Sequence, residues 1–126
     1  MKNTTVKIDN PNSYIVELLI RIGLKERDAN ILAESLIDAD LKGIQTHGLM
    51  RLPIYIKRIE SGLIDILNKI ETVRRRNSIK ILNANNTLGQ VAGVRGVEEA
   101  IICARNVMGS DLHIARPRTK NVNKQV

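Results

Sequence analysis

His47, Arg51, Tyr55 and Arg58 follow one another at helical spacing in "GIQTHGLMRLPIYIKRIESG". A helix turns about 100° per residue, which would align the four on one stripe and gather Leu49, Leu52, Ile56 and Ile59 on a separate face expected to be buried. Imidazole titrates near neutrality, a guanidinium clamps a carboxylate through two parallel hydrogen bonds, and a phenol donates one more. Such a set suits a small hydroxy or keto acid. The same residues also read as a solvated helix face, and spacing leaves both readings open. Pro53 either kinks this helix or marks its first turn, and the stripe holds only if the helix runs through it.

The surrounding elements are legible from periodicity. Asn10 and Pro11 open a first helix, expected over about 11–22, with Ile15, Leu18, Leu19 and Ile22 as its apolar stripe and Gly23 as its stop. A second helix, about 26–41, carries Ala29, Leu32, Ala33, Leu36 and Ile37 on one side, acidic residues near its start and Gly43 beyond its end. After Gly62 the period changes. "KIETVRRR" and "NSIKILNANN" suggest strands around 70–74 and 78–83 that can pair as a hairpin. From Gln90 helical spacing returns, with Val94, Val97, Ile101, Ala104 and Met108 expected inward and Gly109 closing the helix. "DLHIAR" reads as one further strand. The expectation is an α/β fold: N-terminal helices followed by a mixed sheet with helices.

Composition narrows the function classes. The chain has 126 residues, a size suited to one domain, and its apolar residues are almost wholly aliphatic, with no Phe, no Trp and two Tyr. One cysteine, Cys103, excludes an intrachain disulfide, a thiolate metal cluster and a redox pair, so no metal is expected and a cytoplasmic location fits. No signal-like apolar segment opens the chain and no run is long enough to span a membrane. The net charge of +7 raises nucleic acid as a partner. Its distribution argues against that: residues 1–71 hold ten basic and ten acidic side chains, and the excess lies at Arg74–Arg76 and in 116–126, which hold four basic residues and no acid. Residues 1–115 are expected to be the folded part and 116–126 a disordered basic tail.

"ADLKGIQTHGLMRLPIYIKRIESG", residues 39–62, resembles the signature of the malate/L-lactate dehydrogenase family, which includes ureidoglycolate, sulfolactate and diketogulonate dehydrogenases or reductases. Ala39, Asp40, Gly43, Ile44, His47, Gly48, Arg51 and Tyr55 stand in the family's order, and Thr46 replaces its usual serine. The likeness extends over about residues 14–109. It implies a fold distinct from the usual Rossmann dehydrogenase and hydride transfer between NAD or NADP and C2 of a 2-hydroxy acid such as malate, lactate or ureidoglycolate, with a homodimer in intact members. By the resemblance His47 is the acid/base, Arg51 the carboxylate clamp, and Thr46 and Tyr55 bind substrate by hydrogen bonds.

The chain departs from that family after Gly109. Members carry a second histidine in an Asn-Ser-x-His-x-Gly-like stretch, which some use for proton transfer; here His113 falls too early and the region near Lys120 has none. The expectation is a truncated N-terminal portion that lacks the cofactor segments and is inactive alone. "GQVAGVRG" does not replace them, because its glycine spacing is not the dinucleotide fingerprint, and Gly89, Gly93 and Gly96 read as a turn and helix-packing positions. Two other classes remain. Residues 29–58 also read as two helices around a Gly-containing turn, as in a helix-turn-helix DNA binder, and the chain also reads as a non-catalytic interaction subunit.

Overall fold

The computed structural model describes residues 10–76 and 79–106. The expected strand "DLHIAR", Met108, Gly109, His113 and the basic tail 116–126 lie outside them. Two compact units divide at Gly62 and Leu63.

In the first unit, helix α1 (Pro11–Ile22) starts where Asn10 Oδ1 accepts the Ser13 N–H at 3.2 Å, with Pro11 in the first turn. It ends at Gly23, whose φ of 111° places it in the left-handed region. There the Gly23 and Leu24 N–H groups return to the Ile20 and Leu19 carbonyls at 2.9 and 3.1 Å. Helix α2 (Glu26–Leu41) follows and packs on α1. Ile15, Leu19, Leu24, Ala29, Leu32, Ala33 and Leu36 are buried and make the core of this unit. Leu18, Ile22 and Ile37, at the margins of the expected stripes, are half-buried.

The third expected helix is not continuous. A 3-10 turn at Gln45–His47 is followed by extended Gly48 and a second 3-10 turn at Leu49–Arg51, which runs into helix α3 (Leu52–Glu60). Pro53 therefore sits in the true first turn of α3, where its missing N–H costs no helical hydrogen bond. Leu49, Leu52, Ile56 and Ile59 are half-buried rather than buried. Within this unit the main packing partner of α3 is the short turn that leads into it, which covers the apolar stripe only in part. The tight turn needed by a helix-turn-helix is also absent, because Lys42–Arg51 separates α2 from α3.

In the second unit, β1 (Glu71–Arg76) and β2 (Ile79–Asn83) pair antiparallel, with a register shift between Thr72 and Arg74 that leaves Val73 as the extra, bulged residue. Asn85 and Asn86 then adopt positive φ, 48° and 61°, a conformation asparagine tolerates better than most residues. Asn85 donates to the Lys69 carbonyl at 2.8 Å and accepts from Asn68 at 3.2 Å, which ties this turn to the segment before β1. Helix α4 (Gly89–Asn106) follows. An α/β architecture is what the periodicities implied, and among the described residues the sheet is this antiparallel pair.

The inward face of α4 corrects the sequence reading. Gly96, Glu99 and Cys103 are buried, whereas Val94, Val97 and Ile101 are 38, 50 and 47% exposed and Ala104 is exposed too. An ion pair lies on the buried face. Lys80 of β2 binds the Glu99 carboxylate, and Arg95 Nη2 reaches its other oxygen at 2.8 Å. A charged residue drawn inward is invisible to an apolar periodicity. No helix among the described residues is long and apolar enough to cross a membrane.

Candidate acid-binding loop

The segment between α2 and α3 is fixed at both ends. At its start, α2 closes by giving the Gly43 and Ile44 N–H groups to the Asp40 and Ala39 carbonyls at 2.9 and 2.8 Å, and Gly43 takes a φ of 76° that favours glycine. At its end, Asp40 Oδ2 accepts the Leu49 N–H at 2.9 Å, nine residues along the chain. The first turn of a helix leaves N–H groups without intrahelical partners, and this carboxylate satisfies one of them.

Thr46 and His47 stand between these anchors, and Arg51, Tyr55 and Arg58 follow the second. Thr46 Oγ1 lies 3.0 Å from His47 Nδ1, a contact in which either group can donate according to the imidazole tautomer. Arg51 Nε donates to the Thr46 carbonyl at 2.7 Å. Thr46, His47 and Arg51 are all exposed. Tyr55 follows Arg51 by one turn in α3 and is half-buried, and Arg58 is exposed beyond it.

The structure brings Thr46, His47 and Arg51 together, but by another route than a common helical stripe. Gly48, with φ −88° and ψ −155°, breaks the helical backbone between His47 and Arg51. The angular argument is valid only from Leu49 onward, and the Arg51–Thr46 hydrogen bond does the joining. An imidazole polarised by a hydroxyl, beside a guanidinium whose Nε is anchored and whose two terminal nitrogens form a fork, can take a carboxylate on the fork and a hydroxyl or carbonyl on the imidazole.

The motif contains Asp40 and Gly48 and assigns them no task. Their proximity could have been suspected from a carboxylate and a glycine flanking a polar loop, though nothing in the spacing shows which oxygen meets which N–H. The glycines of "GQVAGVRG" all fall within α4, and Gly96 is buried there. A dinucleotide fingerprint needs its glycines in the turn between a parallel strand and a helix start. The described residues therefore form no nicotinamide dinucleotide cradle of that kind.

A family model described as malate/L-lactate dehydrogenase matches residues 6–110. The chain is 37% identical over 98 residues to malate/(S)-sulfolactate dehydrogenase of Methanothermus fervidus, covering 78% of this chain and 29% of that protein. It is also 37% identical over 94 residues to ureidoglycolate dehydrogenase (NAD(+)) of Escherichia coli strain K12, covering 75% and 27% respectively. Among solved structures, malate dehydrogenase from Pyrococcus horikoshii OT3 superposes with a TM-score of 0.75 at 37% identity, over 79% of this chain and 28% of that one. The chain thus spans less than a third of the length of these relatives.

Proposed function

The chain belongs to the malate/L-lactate dehydrogenase family, and on that premise we propose that its Thr46–Tyr55 segment is the substrate-side wall of a 2-hydroxy acid dehydrogenase. Arg51 binds the carboxylate of a 2-hydroxy or 2-keto acid through its terminal nitrogens. His47 accepts the proton of the C2 hydroxyl during oxidation and returns it to the carbonyl oxygen during reduction. Thr46 orients the imidazole through Nδ1 and so leaves Nε2 for that proton, while Tyr55 hydrogen-bonds the substrate. In the complete catalytic unit the hydride partner is NAD or NADP, and the assembly is a homodimer in the cytoplasm. Gly89, Gly93 and Gly96 lie inside α4 and form no dinucleotide-binding turn, and the residues described here bind the acid without turning it over.

The carrying observation is the Arg51–Thr46–His47 chain of hydrogen bonds, which holds an anion fork and an imidazole on one exposed loop. It supports the enzyme reading over a plain solvated face, because a guanidinium committed to a backbone carbonyl is preorganised for a ligand. Titrating 15N-labelled protein with L-malate, and with succinate as the acid lacking the hydroxyl, tests it. Malate is expected to shift the Thr46, His47 and Arg51 resonances saturably and more tightly than succinate. Shifts confined to other residues, or equal binding of the two acids, would contradict it.

A further inference from the structure

We propose that Asp40 is the positioning residue of this loop: its carboxylate, received against Gly48, sets where His47 and Arg51 stand. The significance of that position rests on the acid-binding reading above, while the geometry does not.

The argument begins with Gly48. A Cβ built there would lie 1.6 Å from Asp40 Oδ1 and 2.2 Å from Cγ, so the carboxylate occupies the space of the absent side chain. The backbone of Gly48 is not what demands glycine, since its φ of −88° suits any residue. Close approach is the requirement. Gly48 is buried, and the carboxylate that covers it turns its other oxygen to the Leu49 N–H.

Leu49 opens the 3-10 turn that ends at Arg51, so holding its N–H sets the start of that turn and the place from which Arg51 departs. Arg51 in turn holds the Thr46 carbonyl, and Thr46 contacts His47. Asp40 itself is in the last turn of α2, whose Ala29, Leu32, Ala33 and Leu36 are in the core. The order of support thus runs from a packed helix through one carboxylate to the loop. Asp40 meets the loop at Gly48 and at the Leu49 N–H, and acts on Thr46, His47 and Arg51 through them.

Two spectroscopic readouts that global stability does not move provide the test: the tautomer of His47 from long-range 15N correlation, and the exchange rate of the Arg51 Nε–H. In Asp40→Ala the Nε–H is expected to exchange about tenfold faster, the factor corresponding to one net hydrogen bond, and the tautomer ratio to change while Leu19 and Leu32 methyl signals stay in place. Asp40→Asn keeps an acceptor oxygen and should restore both readouts. Gly48→Ala should reproduce the Asp40→Ala spectrum in the native background, because its methyl evicts the carboxylate, and should add less than about twofold in the Asp40→Ala background, where that space is open. Unchanged readouts in Asp40→Ala, failure of Asn to rescue, loss of the α1–α2 signals, or a full Gly48→Ala effect in the double variant would each overturn the proposal. None of these measurements uses an added acid, so a failure of the acid-binding reading would show separately, in the malate titration.

Discussion

Arg51 Nε donates to the Thr46 main-chain carbonyl at 2.7 Å, which makes the arginine a strut of the loop as well as a charge on it. Lysine in its place would keep the charge and lose both the strut and the planar fork. Arg51→Lys is therefore expected to weaken malate binding by about tenfold or more, as charge-assisted hydrogen bonds of roughly 1.5–3 kcal/mol would give. Because the side chain is exposed, the unfolding free energy should change by less than about 0.5 kcal/mol. Resonance titration and urea unfolding of the same sample check both halves, and a lysine variant with native affinity would refute the clamp.

The Lys80–Glu99 pair gives the second unit a dependence on acid. The Lys80 hydrogen bond is the largest influence holding the Glu99 carboxyl below its ordinary value; burial opposes it, and the charges of Lys80, Arg95 and Arg75 assist. A carboxyl with a folded-state pKa below its unfolded value, which is about 4.3, adds stability above that pH and loses it as pH falls through the folded-state value. Urea midpoints for this unit should drop as pH is lowered below about 4.3, and the drop should be shallower in Glu99→Gln. Equal pH slopes in the two proteins would show that Glu99 does not carry the effect.

Removing that carboxylate outright should be costly. Lys80, whose side chain is 13% exposed, would be left without its carboxylate partner, and breaking a buried pair from one side costs about 3–5 kcal/mol. Glu99→Ala is expected near the lower figure, as Arg95 is half-exposed and can be hydrated. Calorimetric unfolding at neutral pH measures it, and a loss below about 1 kcal/mol would place the pair in the ordinary surface range.

The rotation of α4 is tested by one substitution, read against a core substitution in α2 as the control. Ile101→Ser, on the exposed side, should change stability by less than about 0.5 kcal/mol. Leu32→Ala, at a position with no exposed surface, should cost about 2–5 kcal/mol through lost burial and the cavity left behind. Comparable losses in both would mean that Ile101 faces a core.

Local chemistry decided what could be read from the chain. Asn10, Pro11 and Gly23 bound α1 because capping and positive φ are properties of single residues, and the Ala29-to-Leu36 stripe emerged because an aliphatic core follows the helical period. His47 and Arg51 were recognisable as a pair by type. Their true relation was not, since extended Gly48 between them exists to admit a carboxylate from Asp40, a contact between residues on different elements. The rotation of α4 escaped for the same reason: Glu99 faces inward where Lys80 on another element meets it. Membership of the dehydrogenase family was carried by the ordered motif from Ala39 to Tyr55, and the matched relatives bear that reading out.

A paired titration of one labelled sample, with L-malate and then with NADH and NADPH, separates an acid-binding wall from a working enzyme and from an unrelated surface. Hydride transfer needs the nicotinamide held against the substrate carbon, where a misplacement of even ~1 Å can cost on the order of a hundredfold. The expected result is saturable shifts at Thr46, His47 and Arg51 with malate, no saturable binding of either dinucleotide, and no malate oxidation by the chain alone. Saturable NADH or NADPH binding with turnover that disappears in His47→Ala, or malate that leaves the loop resonances unmoved, would contradict the account.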